Sequence, residues 1–394
     1  MTDPRFNDPL TRRQLLRRAA AGGTVLTLPA LLAACGGGDG IQGQANTQQG
    51  TTSVNKTLAD TLVFANWPAY IDVKKKKHPT LEKFTAETGV NIKYVEEVND
   101  NEEWFGKYQA QLAQGDDIGR DIVVLTDWMA ARMIRLGYVQ KKDKSAIPNE
   151  ANLVETLQNP AWDPNRQFSL PWQSGLTGIA YNPKFTGGPI TSIEQLFTDP
   201  KLKGKVTALT EMPDTIGLIM QANGDDPSKV EAEAFDRAIQ TLQDAVDSGQ
   251  IRRFTGNDYL EDFPAGSAYA GMTWSGDVAQ LQTDTPGLKW VIPDDGGMIW
   301  TDNMLIPLGG DVFTASTYMN FVYDPAIAAE IEAWVNYICP VVGAQEELAK
   351  IDPELAENPQ IFPDDATLAK VKLFDAEAAD NTEFKEKFQA VIGA

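Results

Sequence analysis

The sequence predicts an α/β protein of two lobes, and three observations carry that reading. Short β-rich apolar runs alternate with longer amphipathic ones, the alternation begins afresh near residue 179, and 394 residues at 42% hydrophobic and 23% charged allow two to three domains of about 150 residues. In the first set, 61–64, 91–95 and 121–124 read as strands, and 81–88, 102–114 and 129–136 as the helices between them. A second set follows at 179–182, 193–196, 206–209, 216–221, 231–246 and 271–274. Then 298–307 reads as strand, 316–322 and 325–337 as helices, and 382–391 as a closing amphipathic helix. The helix expected over 325–337 has Asp324 as a cap and Pro325 in its tolerant first turn.

Residues 1–35 read as an export signal. Thr11-Arg12-Arg13-Gln14-Leu15-Leu16-Arg17 matches the twin-arginine pattern, a weakly apolar stretch follows, and Leu32-Ala33-Ala34-Cys35 resembles a lipobox whose Cys35 would be acylated. The competing reading is a transmembrane anchor, against which stand the short, Gly-interrupted apolar run and the Cys-Gly-Gly-Gly that ends it. Residues 36–59 are taken as a flexible tether, rich in Gly, Gln, Thr, Asn and Ser; about 20 residues of such coil span about 25 Å. The expected location is therefore the periplasm or cell surface, with a lipid anchor in a membrane.

Charge and residue counts narrow the function. The chain carries 34 Lys+Arg against 55 Asp+Glu; without residues 1–35, which hold five Arg and two Asp, the net charge goes from −21 to −24. Nucleic acid is disfavoured, because its affinity depends on Lys and Arg displacing counterions. His78 is the single histidine, so His metal clusters and Ser/His/Asp chemistry have one donor between them, and it follows directly on Lys74 to Lys77. No metal and no cofactor is expected. With Cys35 lipidated, Cys339 has no cysteine to pair with inside the chain.

Aromatic residues collect where strands are expected to end: Asn66-Trp67-Pro68-Ala69-Tyr70, Thr126-Asp127-Trp128, Leu170-Pro171-Trp172-Gln173, Trp274-Ser275-Gly276-Asp277 and Trp300-Thr301-Asp302. Residues just beyond the carboxyl ends of strands are where open α/β sheets build ligand sites. In Trp300-x-Asp302 both side chains share a face if the strand persists; Trp274 and Asp277 need a turn into a helix to meet. Taken singly, each Trp also fits core packing, and Asp214 and Asp277 also fit helix N-termini. Repetition of ring plus acid in both lobes favours a cation, which wants a carboxylate and an aromatic face together.

From about residue 61 to 394 the chain resembles the spermidine/putrescine-binding proteins of ABC transporters, within the extracellular solute-binding proteins. The resemblance rests on Asn66-Trp67-x-x-Tyr70, Glu87-Thr88-Gly89-Val90 with Asn101-Glu102-Glu103, Asp121-Ile122-Val123-Val124 with Trp128, Gly271-Met272-Thr273-Trp274-Ser275-Gly276-Asp277 and Gly296-Gly297-Met298-Ile299-Trp300-Thr301-Asp302, in that order. It implies a periplasmic-binding-protein-like fold: two α/β lobes, crossover hinge strands and a ligand cleft between, with 60–177 and 300–346 in lobe 1 and 178–299 and 347–394 in lobe 2.

The same resemblance implies the site. Trp67, Tyr70, Thr126 and Trp128 would come from lobe 1; Trp274 and Trp300 would sandwich a methylene chain; Asp277 and Asp302 would pair with ammonium groups. Glu211 or Asp214 would reach a further nitrogen, Asp375 falls near a polar ligand position, and Cys339 falls where the family has an aromatic. The implied function is a monomeric lipoprotein, not an enzyme, that carries putrescine or spermidine to an ABC permease. Alternatives are binding of another small cationic or zwitterionic amine or a sugar, and, from another class, an exported carbohydrate-active enzyme, whose clefts also use aromatic platforms and paired carboxylates.

Overall fold

The computed structural model describes residues 56–393. The expected signal segment, Cys35 and residues 36–55 of the expected tether lie outside the described residues. β1 (Thr61–Asn66), β2 (Asn91–Glu96) and β3 (Ile122–Thr126) form a parallel group in the order β2-β1-β3. Helix Pro79–Thr88 joins β1 to β2; it has Pro in its first turn, where the missing N–H satisfies nothing, and ends on Gly89 at φ 78°. Helix Asn101–Gln114 joins β2 to β3 and is capped by Asp100, which accepts from the Glu103 N–H.

A second parallel group, in the order β8-β6-β7, consists of β6 (Val206–Leu209), β7 (Ile251–Thr255) and β8 (Ala270–Trp274). Two long antiparallel strands join the groups. These are β5 (Ser169–Tyr181), paired with β8, and β10 (Gly297–Pro307), paired with both β3 and β5. The eight strands run β2-β1-β3-β10-β5-β8-β6-β7; β4 (Val139–Gln140) and β11 (Val371–Lys372) lie against β10, and β9 (Lys289–Val291) against β5. The chain thus passes from the first group to the second along β5 and returns along β10. The fold is the expected α/β arrangement of two lobes with crossover strands.

After β10 the chain packs first on one side and then on the other. Helix Val312–Val322 lies with the first group, where Thr314 Oγ1 accepts from the Ala59 N–H at 2.8 Å and Tyr318 packs on Phe64 and Phe84. Helix Thr382–Ile392 lies against helix Ala232–Asp247 of the second group, with the Phe384 and Phe235 rings stacked at 4.0 Å. Removing a ring such as Phe64 or Phe235, each fully buried, would cost about 3–5 kcal/mol.

Strands β4, β7, β9 and β11 and the first turn of helix Val312–Val322 are additions to the expected elements, and two further departures bear on the site. β5 begins ten residues before 179, through Pro171, Gly175 and Gly178, residues that weaken a strand pattern. Pro171 is accommodated at a bulge: Asp302 pairs with Gln173 and Asn303 with Pro171, leaving Trp172 as the extra residue. The helix expected over 325–337 stops at Val335, because Asn336 adopts the left-handed conformation (φ 56°) and Ile338 pairs with Ser174 of β5 in both directions, at 2.7 and 2.9 Å.

Helix Pro325–Val335 buries Glu332 completely, and burial pushes its pKa up from 4.5 to about 8. A carboxyl raised in the folded state binds its proton more tightly there than when unfolded. Its contribution is whole below pH about 4.5 and is lost as pH rises to about 8. Glu332→Gln, neutral throughout, should therefore unfold with similar free energy to the parent at acid pH and be the more stable by a few kcal/mol at pH 9. Urea unfolding at both pH values checks this; parallel pH profiles for the two proteins would refute it.

Candidate functional site

The first residue after β1, Trp67, begins a cavity at the junction of the two strand groups. Asn66 shapes the loop there: its Oδ1 accepts from the Trp67 N–H at 2.9 Å and its Nδ2 donates to the Tyr70 carbonyl at 3.4 Å. The cavity is lined by Trp67, Pro68, Tyr70 and Thr126 from the first side, Glu211, Asp214, Asn257, Trp274 and Asp277 from the second, Trp300 and Asp302 from β10, and Tyr337. It is narrow, with an empty volume of about 360 Å³ including its mouth, and every acid in it is at most 9% exposed. Most of these residues stand where a strand gives way to a loop or helix, the position at which backbone carbonyl ends converge.

The four acids are held by neutral donors. Asp302 accepts from Tyr70 Oη at 2.9 Å and Thr126 Oγ1 at 2.8 Å. Asp277 accepts from Asn257 Nδ2, Tyr259 Oη and Tyr337 Oη at 2.8, 2.6 and 2.7 Å. Asp214 accepts from the Thr177 hydroxyl and, at 3.4 Å, from Trp274 Nε1. Glu211 Oε1 takes both the backbone N–H and the side-chain amide of Asn101, at 2.8 and 2.9 Å. Among the described residues no Lys, Arg or His lines the cavity.

Carboxyls buried without a cation are poor acids. Burial raises Asp302 to about 7, against the opposing hydrogen bonds of Thr126 and Tyr70 and with the neighbouring Asp127 and Asp214 adding to the rise. Burial likewise raises Asp214 and Asp277 to about 6, and lifts Glu211 well above its ordinary range, with the charge of Asp100 contributing. The hydroxyls of Tyr70, Tyr259 and Tyr337 are pushed well above 10, by burial and by the carboxylates beside them.

The walls are aromatic. The Trp274 ring meets Trp67 at 5.9 Å and Trp300 at 6.3 Å, both edge-on at 78°; Trp300 lies 5.6 Å from Tyr337. Each indole N–H is anchored: Trp67 to the Val124 carbonyl at 3.1 Å, Trp300 to Thr177 Oγ1 at 3.0 Å. Two glycines leave room for rings. A Cβ on Gly175 would lie 2.3 Å from Trp300 Cζ2, and one on Gly276 2.4 Å from the Tyr337 ring. What such a chamber can do is bind: it offers negative charge at several points with apolar faces between them.

Residues 80–363 match the family model of bacterial extracellular solute-binding proteins. The chain belongs to that family. Among relatives of this binding protein, a spermidine/putrescine-binding periplasmic protein of Salmonella typhimurium is 27% identical over 328 residues, covering 82% of this chain and 88% of the relative. A putrescine-binding periplasmic protein of Pseudomonas aeruginosa is 27% identical over 334 residues, covering 78% and 85%. A solved Listeria monocytogenes structure, assigned to spermidine/putrescine ABC transport, superposes with a TM-score of 0.72 at 25% identity over 85% of this chain and 98% of that one.

Of the site residues expected from the sequence, Trp67, Tyr70, Thr126, Glu211, Asp214, Trp274, Asp277, Trp300 and Asp302 come together in the cavity. Asp214 and Asp277 sit in the first turns of helices Met212–Ala222 and Ser275–Asp284, yet their carboxylates face side-chain donors rather than capping those turns. Two expected residues do not line it. Asp375 is occupied as a helix cap, accepting from the N–H groups of Glu377 and Ala378 and, through Oδ2, from Val230. Trp128, one residue into helix Asp127–Arg135, lies 5.1 Å from the Arg132 guanidinium and borders an adjoining hollow. Cys339 is buried and among the described residues has no other cysteine to pair with; the ring at the cavity is Tyr337, two residues earlier. The sequence does not mark Tyr337, Asn257, Tyr259, Thr177 and Asn101 as site residues. The Asn336 turn that aims Tyr337 leaves no periodic signal, and the others support acids rather than resembling a motif.

Proposed function

We propose that this protein is an extracytoplasmic binding lipoprotein, not an enzyme, that captures putrescine or spermidine and delivers it to the permease of an ABC transporter. The observation that carries the reading is the cavity's makeup: four buried acids, three indoles and two phenols, with no basic lining residue among the described ones. The names of the two relatives support the choice of ligand. A polyamine has ammonium groups separated by methylenes. Asp302 and Asp277 would take ammonium groups, Glu211 or Asp214 a further one, and Trp274 and Trp300 would cover the chain. Charge-assisted bonds of about 1.5–3 kcal/mol and desolvated cation–π contacts of about 2 kcal/mol would support micromolar affinity after the costs of closure.

In this reading the lobes comprise 60–177 with 300–346 and 178–299 with 347–394, the protein is monomeric, and its closed form is what the permease recognises. Export by the twin-arginine route and a lipid on Cys35 would hold it at a membrane. The acidic net charge argues against nucleic acid as a partner.

A thermal-shift panel of putrescine, cadaverine, spermidine, spermine and agmatine, with a sugar and an amino acid beside them, tests the ligand class. Stabilisation by the sugar or amino acid alone would overturn it. Asp302→Asn should weaken putrescine and spermidine binding about ten- to hundredfold in calorimetry, because a charge-assisted bond becomes neutral. The unliganded variant should melt no lower than the parent, since a buried charge has been removed; wild-type affinity for both amines would exclude Asp302 from binding.

The raised carboxyls also set a pH dependence. An ammonium pairs with an ionised carboxyl, and Asp302 at about 7 with Asp214 and Asp277 at about 6 are part protonated at pH 6. Affinity should be highest above pH 7 and fall steadily towards pH 5. Binding at pH 6 should release protons, seen as a calorimetric enthalpy that changes with the buffer's ionisation heat; a buffer-independent enthalpy would contradict it. Cys35→Ser should release soluble protein or leave uncleaved precursor, because two or more acyl chains anchor durably where one does not. Unchanged processing and membrane retention would rule out lipidation there.

A further inference from the structure

We propose that an ion-pair network outside the cavity, centred on Arg132 and Asp380, latches the two lobes together and so sets how long a bound ligand is retained. The inference rests on the binding function proposed above but not on which ligand is carried. Arg132, on helix Asp127–Arg135, is 4% exposed. Its Nη1 donates to both oxygens of Glu102 at 2.8 Å, and its Nε donates to Asp380 Oδ1 at 2.7 Å. Arg135 pairs with the other Asp380 oxygen, and Lys385 Nζ stands 3.6 Å from Asp380 and 3.8 Å from Glu102. The Arg132 guanidinium is further held 5.3 Å from the Phe105 ring and 5.1 Å from that of Trp128.

The network joins opposite sides of the fold. Glu102, Arg132 and Arg135 lie on helices Asn101–Gln114 and Asp127–Arg135, which flank β3 in the first group. Asp380 and Lys385 belong to the C-terminal segment whose helix stacks Phe384 on Phe235 of the second group. None of the five charged residues lines the cavity. Their connection to it is covalent and short: Glu102 follows Asn101, which grips Glu211 across the lobes.

Opening the lobes would part Arg132 from Asp380 while leaving Arg132 with Glu102. The Arg132–Asp380 contact therefore belongs to the closed form, and a contact made in one state shifts the equilibrium towards it. Losing one partner of a buried, hydrogen-bonded charge pair acts mainly on the dissociation rate. Asp380 and Arg132 are positioning residues in this sense: they keep the cavity closed without touching what it holds.

The test compares the parent with Asp380→Asn and Asp380→Glu, following putrescine binding and release by stopped-flow tryptophan fluorescence. Asp380→Asn should release putrescine about tenfold faster with association within about twofold of the parent. Asp380→Glu should restore most of the retention, and about 0.5 M salt should narrow the difference. Any fall in the unliganded melting temperature should be confined to Asp380→Asn, with Asp380→Glu melting as the parent does. A parental release rate in Asp380→Asn would overturn the latch and leave amine binding standing; so would equal falls in unliganded melting temperature for both variants, which mark a purely structural role. If the parent binds no amine, the ligand assignment fails by itself, and small-angle scattering of the unliganded proteins decides the latch. A larger radius of gyration for Asp380→Asn than for the parent upholds it, and superimposable scattering overturns it.

Discussion

The architecture turns on four carboxyl groups kept out of water without a cation to balance them. Glu211, Asp214, Asp277 and Asp302 each sit behind hydroxyl, amide or indole donors, and none has a guanidinium or ammonium beside it in the cavity. Such an arrangement is unfavourable by itself, because neutral donors recover only part of the hydration that ionised carboxylates lose. The surrounding fold absorbs it. Tyrosines 70, 259 and 337 each point a hydroxyl at an aspartate, and the strand junction supplies rigid backbone from several directions at once. A site left electrically incomplete in this way is prepared for a guest of positive charge.

That preparation depends on β5 and β10. They form the centre of the sheet, they carry the chain between its lobes, and they also bring Thr177, Trp300 and Asp302 to the cavity. Movement of one lobe against the other must be taken up where these two strands cross. Cavity residues on such a strand are consequently exposed to any change in its angle, which ties the shape of the cavity to that of the sheet.

Much of this was legible in the sequence, and the boundary of legibility has physical causes. Trp300-x-Asp302 and Trp274-Ser275-Gly276-Asp277 are local patterns: strand period and a strand-to-helix turn decide where those side chains go, so short-range rules suffice. Only the last residues of β5 carry a strand signal, because Pro171 and two glycines interrupt it, and the bulge that admits Pro171 depends on β10, far away in the chain. Tyr337 escaped because Asn336 ends a helix two residues early and a long-range pairing with Ser174 redirects the chain. Asp375 stays away from the cavity for the opposite reason. Family position suggested a ligand contact, whereas nearby backbone N–H groups had already claimed its carboxylate. Arg132 gave no sign of its burial, since its partners come from residues 102 and 380.

The strand order also governs when the protein can fold. β3 finds one of its neighbours in β10, and Thr126 pairs with Asp302 across an interval of 176 residues; the C-terminal helix then closes on one that begins at Ala232. Pairings so distant carry a large loop-closure entropy and give a high contact order, the property that slows folding. The sheet's centre is missing until the stretch around residue 300 has been synthesised, so β1 to β3 leave the ribosome with an unpaired edge. Completion of the sheet thus waits on the 176 residues between Thr126 and Asp302, and whatever shields that edge meanwhile acts on a chain that has not yet reached β10.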